Sequence, residues 1–106
     1  MDYRLKKEKD FYLVFKKGSK LYSPYITLLY KKAPEIKAGF AVSKKHGSSV
    51  KRNKIKRLLR ESFRSFLPNI RQNFFFVFIP KAGEDLNFEN IYKSMKTLLT
   101  KGGFFN

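Results

Sequence analysis

The stretch Lys44–Arg64 combines dense positive charge with an apolar stripe. Nine of its residues are Lys or Arg and one, Glu61, is acidic, so it carries +8 of the chain's formal net charge of +16. Its apolar side chains recur at i, i+3 and i+4, the spacing of one face of an α-helix. The pattern predicts an amphipathic helix that buries one face against the rest of the chain. The predicted buried residues are Ile55, Leu58, Leu59, Ser62, Phe63 and Phe66.

Both ends of this predicted helix carry signals of their own. Gly47 allows a turn, and Ser48 or Ser49 can cap the helix by accepting a hydrogen bond from a free backbone N–H. Pro68 has no N–H and disfavours helical geometry in the residue before it. The helix is therefore expected to end at about Pro68.

The charges on this helix violate the rules for a stable isolated helix. Lys51, Arg52 and Lys54 fall in the first turn, where the helix dipole favours anions, and each misplaced charge costs about 0.3–1 kcal/mol. Like charges also recur at i, i+4, at a cost of about 0.2–0.5 kcal/mol per pair. A bound polyanion would relieve both costs, so the pattern favours a nucleic-acid surface. The i, i+4 neighbours are Arg52, Lys56, Arg60 and Arg64.

Composition limits the class of protein. The chain has 106 residues, 42% of them hydrophobic, and no linker-like tract, so we expect one domain spanning residues 1–106. Cysteine is absent, which excludes disulfides and zinc–thiolate sites. The N-terminus lacks the apolar segment of a secretion signal, and the longest apolar run, Phe74–Ile79, is too short to span a bilayer. We therefore expect a cytoplasmic protein.

The net charge of +16 predicts a polyphosphate partner whose binding weakens as salt is added. An anionic lipid surface is the weaker alternative, because the apolar stripe of the basic helix has a hydrophobic sheet to pack against. We therefore expect a nucleic acid and no membrane as the partner.

Strands are predicted on both sides of the basic helix. Alternating or continuous apolar character marks them, and the last is apolar on both faces, as expected of a central strand. Two further helices are predicted, one capped by Asp10 and ended by Gly18, the other capped by Asn87 and ended by Gly102. The element order is therefore α-β-β-β-α-β-α, an α/β layered arrangement. The predicted strands are Ser19–Tyr22, Tyr25–Lys31, Lys37–Ser43 and Asn73–Ile79.

Two surfaces allow more than one interpretation. Phe11 and Phe15 share a face of the first helix among basic neighbours, so they are either core residues or a platform on which bases stack. The strand after Lys37 has one face of small residues, which either lets a helix pack closely or forms the floor of a groove. The small residues are Gly39, Ala41 and Ser43.

Catalysis by the polypeptide itself is not expected. His46 is the only histidine, no Ser/His/Asp or Cys/His set exists, and the eight acids are scattered rather than clustered for metal binding. No glycine-rich phosphate loop is present. We therefore predict no catalytic residue and no metal site held by the protein alone, with His46 as a polar turn residue.

Two segments resemble the protein subunit of bacterial ribonuclease P. Gly39–Lys45 (GFAVSKK) is similar to the family's strand ending in Ser-Lys-Lys, and Val50–Glu61 (VKRNKIKRLLRE) to its basic helix with an Arg-Asn-Arg triplet. The resemblance covers essentially the whole chain, including the family's opening helix. The matching residues there are Arg4-Leu5, Asp10-Phe11, Val14-Phe15 and Gly18.

The resemblance implies an α/β (α+β) two-layer sandwich with a left-handed crossover through the basic helix, an exception to the usual right-handed rule. It also implies that a large catalytic RNA cleaves the 5′ leader from precursor tRNA with Mg²⁺ held mainly by the RNA. The protein would add substrate affinity and help the RNA to bind metal, and would be inactive alone.

The resemblance also assigns residues to two RNA partners. Lys54 stands at the last position of the triplet, where it keeps the charge of Arg but loses its planar fork for phosphate. In the leader-binding cleft, Leu29 aligns with an aromatic on the family's sheet floor, and Tyr30 is one residue along. The expected catalytic-RNA surface comprises Arg52, Asn53, Lys56, Arg57 and Arg60, extended by Lys44, Lys45, Lys51, Lys54 and Arg64. The expected leader-binding cleft comprises Arg4, Lys7, Phe11, Phe15, Thr27, Leu29 and Ala41.

Two other functions fit a basic helix. A structural rRNA-binding protein would use it as a clamp and would need no exposed aromatic groove for single strands. A helix-turn-helix DNA-binding protein would need a short helix before the recognition helix, but a strand precedes Lys44. DNA is therefore not expected as a partner.

Overall fold

The computed structural model describes residues 2–105. Its main elements follow the predicted order, with short 3₁₀ turns at Lys44–His46 and Leu67–Asn69. The helices are α1 (Glu8–Lys17), α2 (Ser49–Phe66) and α3 (Phe88–Lys101), and the strands are β1 (Ser19–Tyr22), β2 (Ile26–Lys32), β3 (Lys37–Phe40) and β4 (Phe74–Pro80).

The four strands form one sheet in the order β1-β2-β4-β3. β2 pairs antiparallel with both β1 and β4, whereas β3 runs parallel to β4 and is joined to it through α2. The N-terminal segment extends the sheet beyond β3, because the Ala38 N–H donates to the Tyr3 carbonyl (2.7 Å) and the Leu5 N–H donates to the Ala38 carbonyl (2.9 Å). The left-handed sense of the α2 crossover stays a prediction.

One face of the sheet is covered by α2 and α3, which pack on a core dominated by aromatic rings. Phe63 of α2 lies between Phe76 and Phe78 of β4, with ring centroids 6.0 and 5.7 Å away. All six residues predicted for the buried stripe of α2 are buried, because the i, i+3, i+4 spacing places them on one side. Ile91, Met95, Leu98 and Leu99 of α3 complete this layer.

The start of α2 agrees with its predicted cap. The Ser48 Oγ accepts a hydrogen bond from the Lys51 N–H at 3.2 Å, and Gly47 before it has a φ of +113°, which favours glycine. At the other end, the helix stops at Phe66 and Pro68 lies in the following 3₁₀ turn. Asn87 caps α3 in the same manner as Ser48 caps α2, by accepting from the Asn90 N–H at 2.8 Å.

The opposite face of the sheet is only partly covered, by α1. Val14 is fully buried there against Leu5, Leu29 and Val77, in a core cluster separate from the one beneath α2 and α3. The helices are therefore unequally divided, and part of the α1 side of the sheet remains open to solvent.

β2 and β4 each begin and end one residue later than predicted, and two other predicted boundaries are wrong by three residues. Asp10 does not cap α1: the helix begins at Glu8 after the extended residue Lys7, so both Glu8 and Asp10 lie in the first turn, where acids favour the helix dipole. β3 ends at Phe40 rather than Ser43, because the Ser43 N–H donates to His46 Nδ1 (3.0 Å) and begins the turn into α2.

Among the helices of residues 2–105, none has the length and apolar character that a membrane crossing requires.

Candidate nucleic-acid interface

The outer face of α2 presents cations that are nearly free of carboxylate partners. Within residues 2–105, the one ion pair on this helix joins the Arg57 Nε to Glu61 at 4.0 Å, and both side chains are about half exposed to solvent. An exposed pair of this kind contributes little. The remaining predicted RNA-contacting residues of α2, from Lys51 to Arg64, make no ion pair within the described chain.

Arg52 differs from the other cations of α2. Its side chain is half buried, the Nη2 donates to Ser49 Oγ at 3.1 Å, and the Nε is buried with no hydrogen-bond partner. A buried donor without an acceptor is costly, about 1–3 kcal/mol. A phosphate oxygen reaching Arg52 would supply the acceptor that the protein does not.

Arg4 lies at the sheet edge, between the two faces of the molecule. On one side it lines an open groove of about 540 Å³ with Arg60 and Arg64. On the other it lines a depression that includes Lys7. Its partner is Asp2, whose carboxylate also pairs with the neighbouring Lys6.

The charge of Asp2 is strongly stabilised by its neighbours. The hydrogen bond from Lys6, followed by that from the Arg4 backbone, holds the pKa of the Asp2 carboxyl well below its usual range. Asp2 therefore remains an anion that partly neutralises the N-terminal cations at any ordinary pH.

On the α1 side of the sheet, the side chains form rows that cross the strands. The middle row joins Gly39, Val77 and Leu29, which are directly paired across β3, β4 and β2. All three are buried beneath α1, and Leu29 is 3% exposed. Leu29, predicted to line the cleft, thus faces α1 but offers almost no surface. Tyr30 points to the other side of the sheet, where its ring packs on Phe104 at 5.0 Å.

The small residue in this row lets α1 approach the sheet. A Cβ at Gly39 would lie 2.4 Å from the ring of Phe11, so the half-buried Phe11 ring rests directly on the glycine backbone. At Gly39 the smooth face of β3 therefore serves helix packing. Phe11 is correspondingly part of the packing against Val14 and Leu29 rather than a fully open ring.

A second row, next to the middle one, remains partly open. Thr27 pairs with Ile79 on one side and with Tyr22 on the other, and the Ala41 N–H donates to the Phe78 carbonyl at 3.0 Å, which continues the β3–β4 pairing to Ala41. The Ala41, Ile79 and Thr27 side chains are half buried, while Tyr22 is 59% exposed. This partly open row beside α1 is here called the α1 groove.

Phe15 is exposed on the flank of α1 that carries Phe11, whose ring rests on Gly39 in the middle row. It lies one turn after Phe11 on the same flank of α1 and is 46% exposed. Asp10 lies on the opposite flank of α1. It lines a depression together with Lys37 and Phe75, which pair across β3 and β4 on the far side of the middle row. The structure packs Phe11 and Ala41 against one core cluster, with Thr27 in the same row of the sheet as Ala41 and Phe15 one turn after Phe11 on α1. Arg4 and Lys7 line the depression on the other flank.

Sequence reasoning missed two residues of the α1 groove. Ile79 was predicted only as part of a central strand, and Tyr22 only as part of a short one. Their place follows from the pairing of Thr27 with both, and strand register is not readable from either segment alone. An aromatic residue at the end of a short strand was the one sequence signal that could have indicated Tyr22.

The turn between β3 and α2 presents Lys44 and Lys45 to solvent and is pinned by a buried histidine. His46 Nδ1 accepts from the Ser43 N–H at 3.0 Å, which leaves the proton on Nε2, and this donates to the Pro80 carbonyl at 2.7 Å. His46 is thus a turn residue, as predicted, but a buried one that ties the entry of α2 to the end of β4.

The described residues offer no carboxylate or histidine cluster of three or more groups that could hold a metal ion. The donors near the basic surface are isolated carboxylates, such as Glu61, already close to a cation. Hard divalent cations require several oxygen ligands, so these residues do not fit a protein-held magnesium site.

Comparisons with known proteins agree with this geometry. A sequence model described as Ribonuclease P matches residues 1–103. The chain is 35% identical to the ribonuclease P protein component of Bacillus velezensis, over 96% of this chain and 90% of that protein. It is 38% identical to that of Clostridium kluyveri, over 97% and 96%.

Solved structures show the same architecture. The RNase P protein of Staphylococcus aureus superposes with a TM-score of 0.88 at 30% identity, covering 100% of both chains. That of Thermotoga maritima gives 0.82 at 32% identity, covering 92% of this chain and 96% of the other. The predicted α+β sandwich is confirmed, and the chain belongs to the Ribonuclease P family as a bacterial-type protein component.

Proposed function

We propose that this protein binds the RNA of ribonuclease P through the outer face of α2 and the 5′ leader of precursor tRNA through the α1 groove. As a family member it is part of an endoribonuclease complex with an RNA partner. The finer assignment is that the RNA performs the cleavage and the polypeptide is inactive alone. Family membership favours this function over that of a ribosomal-type clamp.

The observation that carries the proposal is the unpaired charge of α2. Its cations make one long ion pair within residues 2–105, although the chain holds eight acids that could have neutralised them. Phosphate contacts from such a face give affinity and orientation without reading sequence. A surface of this kind suits a structured RNA held by its backbone.

The α1 groove suits a different ligand. The row of side chains that defines it carries no charge. It ends at the exposed Tyr22, and the exposed Phe15 lies beside it on α1. Rings on a sheet or beside it stack on unpaired bases and tolerate any sequence. A leader that varies from one precursor to the next requires that tolerance.

The Mg²⁺ that the family resemblance implies is assigned to the RNA, since the protein's donor set does not fit it. What the protein residues contribute is charge: cations on α2 reduce repulsion between RNA phosphates where helices crowd together. The complex therefore needs less free Mg²⁺ to reach its active form when the protein is present.

The proposal is tested by reconstitution with the organism's own ribonuclease P RNA. Precursor tRNA cleavage at low Mg²⁺ should require both components, and neither the protein alone nor buffer should cleave. Cleavage by the purified polypeptide would contradict the proposal.

Arg57→Ala and Arg60→Ala locate the RNA-binding face. Each should weaken RNA binding and lower the slope of log affinity against log salt by about 0.7–0.9 per lost phosphate contact. Lys93→Ala is the matched control, because Lys93 is an exposed helical cation that pairs with Glu89 on α3. Equal slopes for Arg60→Ala and Lys93→Ala would place the RNA elsewhere.

A further inference from the structure

The boundary between α2 and α3 opens into a groove at each end, and the two differ in charge. The groove near the start of α2 contains Lys51 and Lys54, but also the carboxylates of Glu84 and Asp85. The groove near its end, here called the seam groove, has a volume of about 440 Å³, and among residues 2–105 no acid lines it. The seam groove is lined by Ser65, Phe66, Asn69, Arg71, Tyr92, Lys96 and Phe105.

The apolar part of the seam groove is a set of three rings. Phe66 is buried at the base, with the Tyr92 ring 4.8 Å and the Phe105 ring 5.7 Å from it. Tyr92 and Phe105 are half buried, so part of each ring faces solvent. Phe105 is held in place because its backbone pairs with Ile70. The rings therefore form a packed apolar patch that is open to solvent on one side.

The polar part of the seam groove is cationic. The Arg71 Nη1 donates to the Pro68 carbonyl at 2.7 Å, which orients the guanidinium and leaves its other N–H groups available. Lys96 is exposed one turn after Tyr92. Neither cation forms an ion pair within the described chain. Packed rings beside two unpaired cations match the two halves of a nucleotide, a flat base and a phosphate.

We propose that the seam groove binds an unpaired nucleotide of an RNA chain, with its base on Tyr92 and Phe105 and its phosphates at Arg71 and Lys96. Within the described part of the chain, this groove has cations and no carboxylate, whereas in the groove beside Glu84 a phosphate would be repelled. The site is separate from the α1 groove, on the other side of the sheet, so it does not rest on leader binding there.

The first test uses the full chain and a pentauridylate with one 4-thiouridine. Irradiation should give cross-links at Tyr92 or Phe105, and their ring protons should shift during an NMR titration. Arg71→Ala and Lys96→Ala should each reduce the salt slope of that shift by about 0.7, the value for one phosphate contact on a single strand. Lys93→Ala, on the same helix but outside the groove, should leave it unchanged.

Three results would overturn the proposal. Cross-links confined to other surfaces, such as that of Phe15, would show that single strands bind there only. Equal effects of Lys96→Ala and Lys93→Ala would show that the groove cations act only through net charge. A hexaglutamate peptide that shifts the Tyr92 and Phe105 rings at lower concentration than pentauridylate would assign the groove to an acidic protein segment instead.

The source of the nucleotide is identified in the assembled complex. Ribonuclease P RNA and precursor tRNA are substituted with 4-thiouridine in separate reconstitutions, and the cross-link to Tyr92 or Phe105 is mapped in each. A cross-link from either RNA supports the proposal and names the source. No cross-link from either, in a complex that still cleaves its substrate, overturns it.

Discussion

Phe15 and Tyr12 are exposed aromatic residues of α1, at 46% and 63% exposure, and Tyr12 lies about 60° farther around the helix from the buried Val14. Phe15 follows Phe11 by one turn on the flank beside the α1 groove, whereas the Tyr12 ring lies under the Lys16 Nζ at 5.7 Å. Phe15→Ala should weaken leader binding by about 1–3 kcal/mol, the usual contribution of one stacked base. Binding of precursor tRNA with and without its leader, by the reconstituted complex, measures the effect.

Tyr12→Ala is the control for Phe15→Ala, since it removes an exposed ring from the same helix. It should leave the affinity for the leader unchanged, and both variants should unfold at nearly the wild-type denaturant concentration. If Phe15→Ala loses stability but not leader affinity, Phe15 acts in packing and the stacking hypothesis for this residue is wrong.

Gly39 controls the distance between α1 and the sheet. In Gly39→Ala the new Cβ would lie 2.4 Å from the Phe11 ring, so the helix or ring must move, at a cost of about 1–3 kcal/mol in the free energy of unfolding. Urea denaturation measures this cost. The Gly39→Ala/Phe11→Ala double variant should be less destabilised than the two single effects added together, because the clash is gone. Strict additivity would show that the two residues are not in contact.

At the scale of single residues, the sequence predicted burial better than it predicted grooves. Ile55 and Leu59 are buried as expected because the helical period alone determines their side. The position of Leu29 beneath α1, and of Ile79 and Tyr22 beside it, depends on which residues pair across three strands. That register is a property of the assembled sheet, so no local pattern contains it.

At the scale of elements, the start of α2 depends on one hydroxyl. Ser48→Ala removes the Oγ that accepts from the Lys51 N–H and should lower the free energy of unfolding by about 1 kcal/mol. Chemical denaturation measures the loss. Ser49→Ala is the matched control, because within residues 2–105 the Ser49 Oγ accepts from the half-buried Arg52 side chain and from no backbone N–H. Equal losses for the two variants would contradict the assignment of Ser48 as the cap.

Element boundaries show where local signals are sufficient. A clear helical stripe after each site predicts a cap at Asn87 and at Ser48 or Ser49, and the structure shows Asn87 and Ser48. The prediction that Asp10 caps α1 is wrong. Residues 3–5 pair with Ala38 at the edge of the sheet, and the chain turns into α1 directly after this segment, about one turn before the predicted start. β3 ends early for a similar reason, because His46 takes the Ser43 N–H.

At the scale of the whole molecule, the positive charge that attracts RNA also destabilises the folded chain through repulsion. One side of the sheet is closed by α2 and α3, which places the cations of α2 on the outside, and the other side is left partly open by α1. Composition and periodicity predicted the element order and the basic surface, and the family resemblance implied the sandwich. The sequence could not predict the division of the cleft residues between two flanks of α1, because that division depends on how the helix crosses the sheet.

A net charge of +16 on 106 residues repels itself, so bound anions should stabilise the fold. Sulfate at about ten times its Kd should add about 1.4 kcal/mol. For a domain of this size that raises Tm by about 5–11 °C. Chloride at equal ionic strength controls for screening. The Arg60→Gln/Arg64→Gln variant controls for the general effect of sulfate on burial. It removes two of the positive charges that would bind sulfate in the groove beside Arg4. An equal gain in this variant would show that sulfate does not act through the arginines of α2.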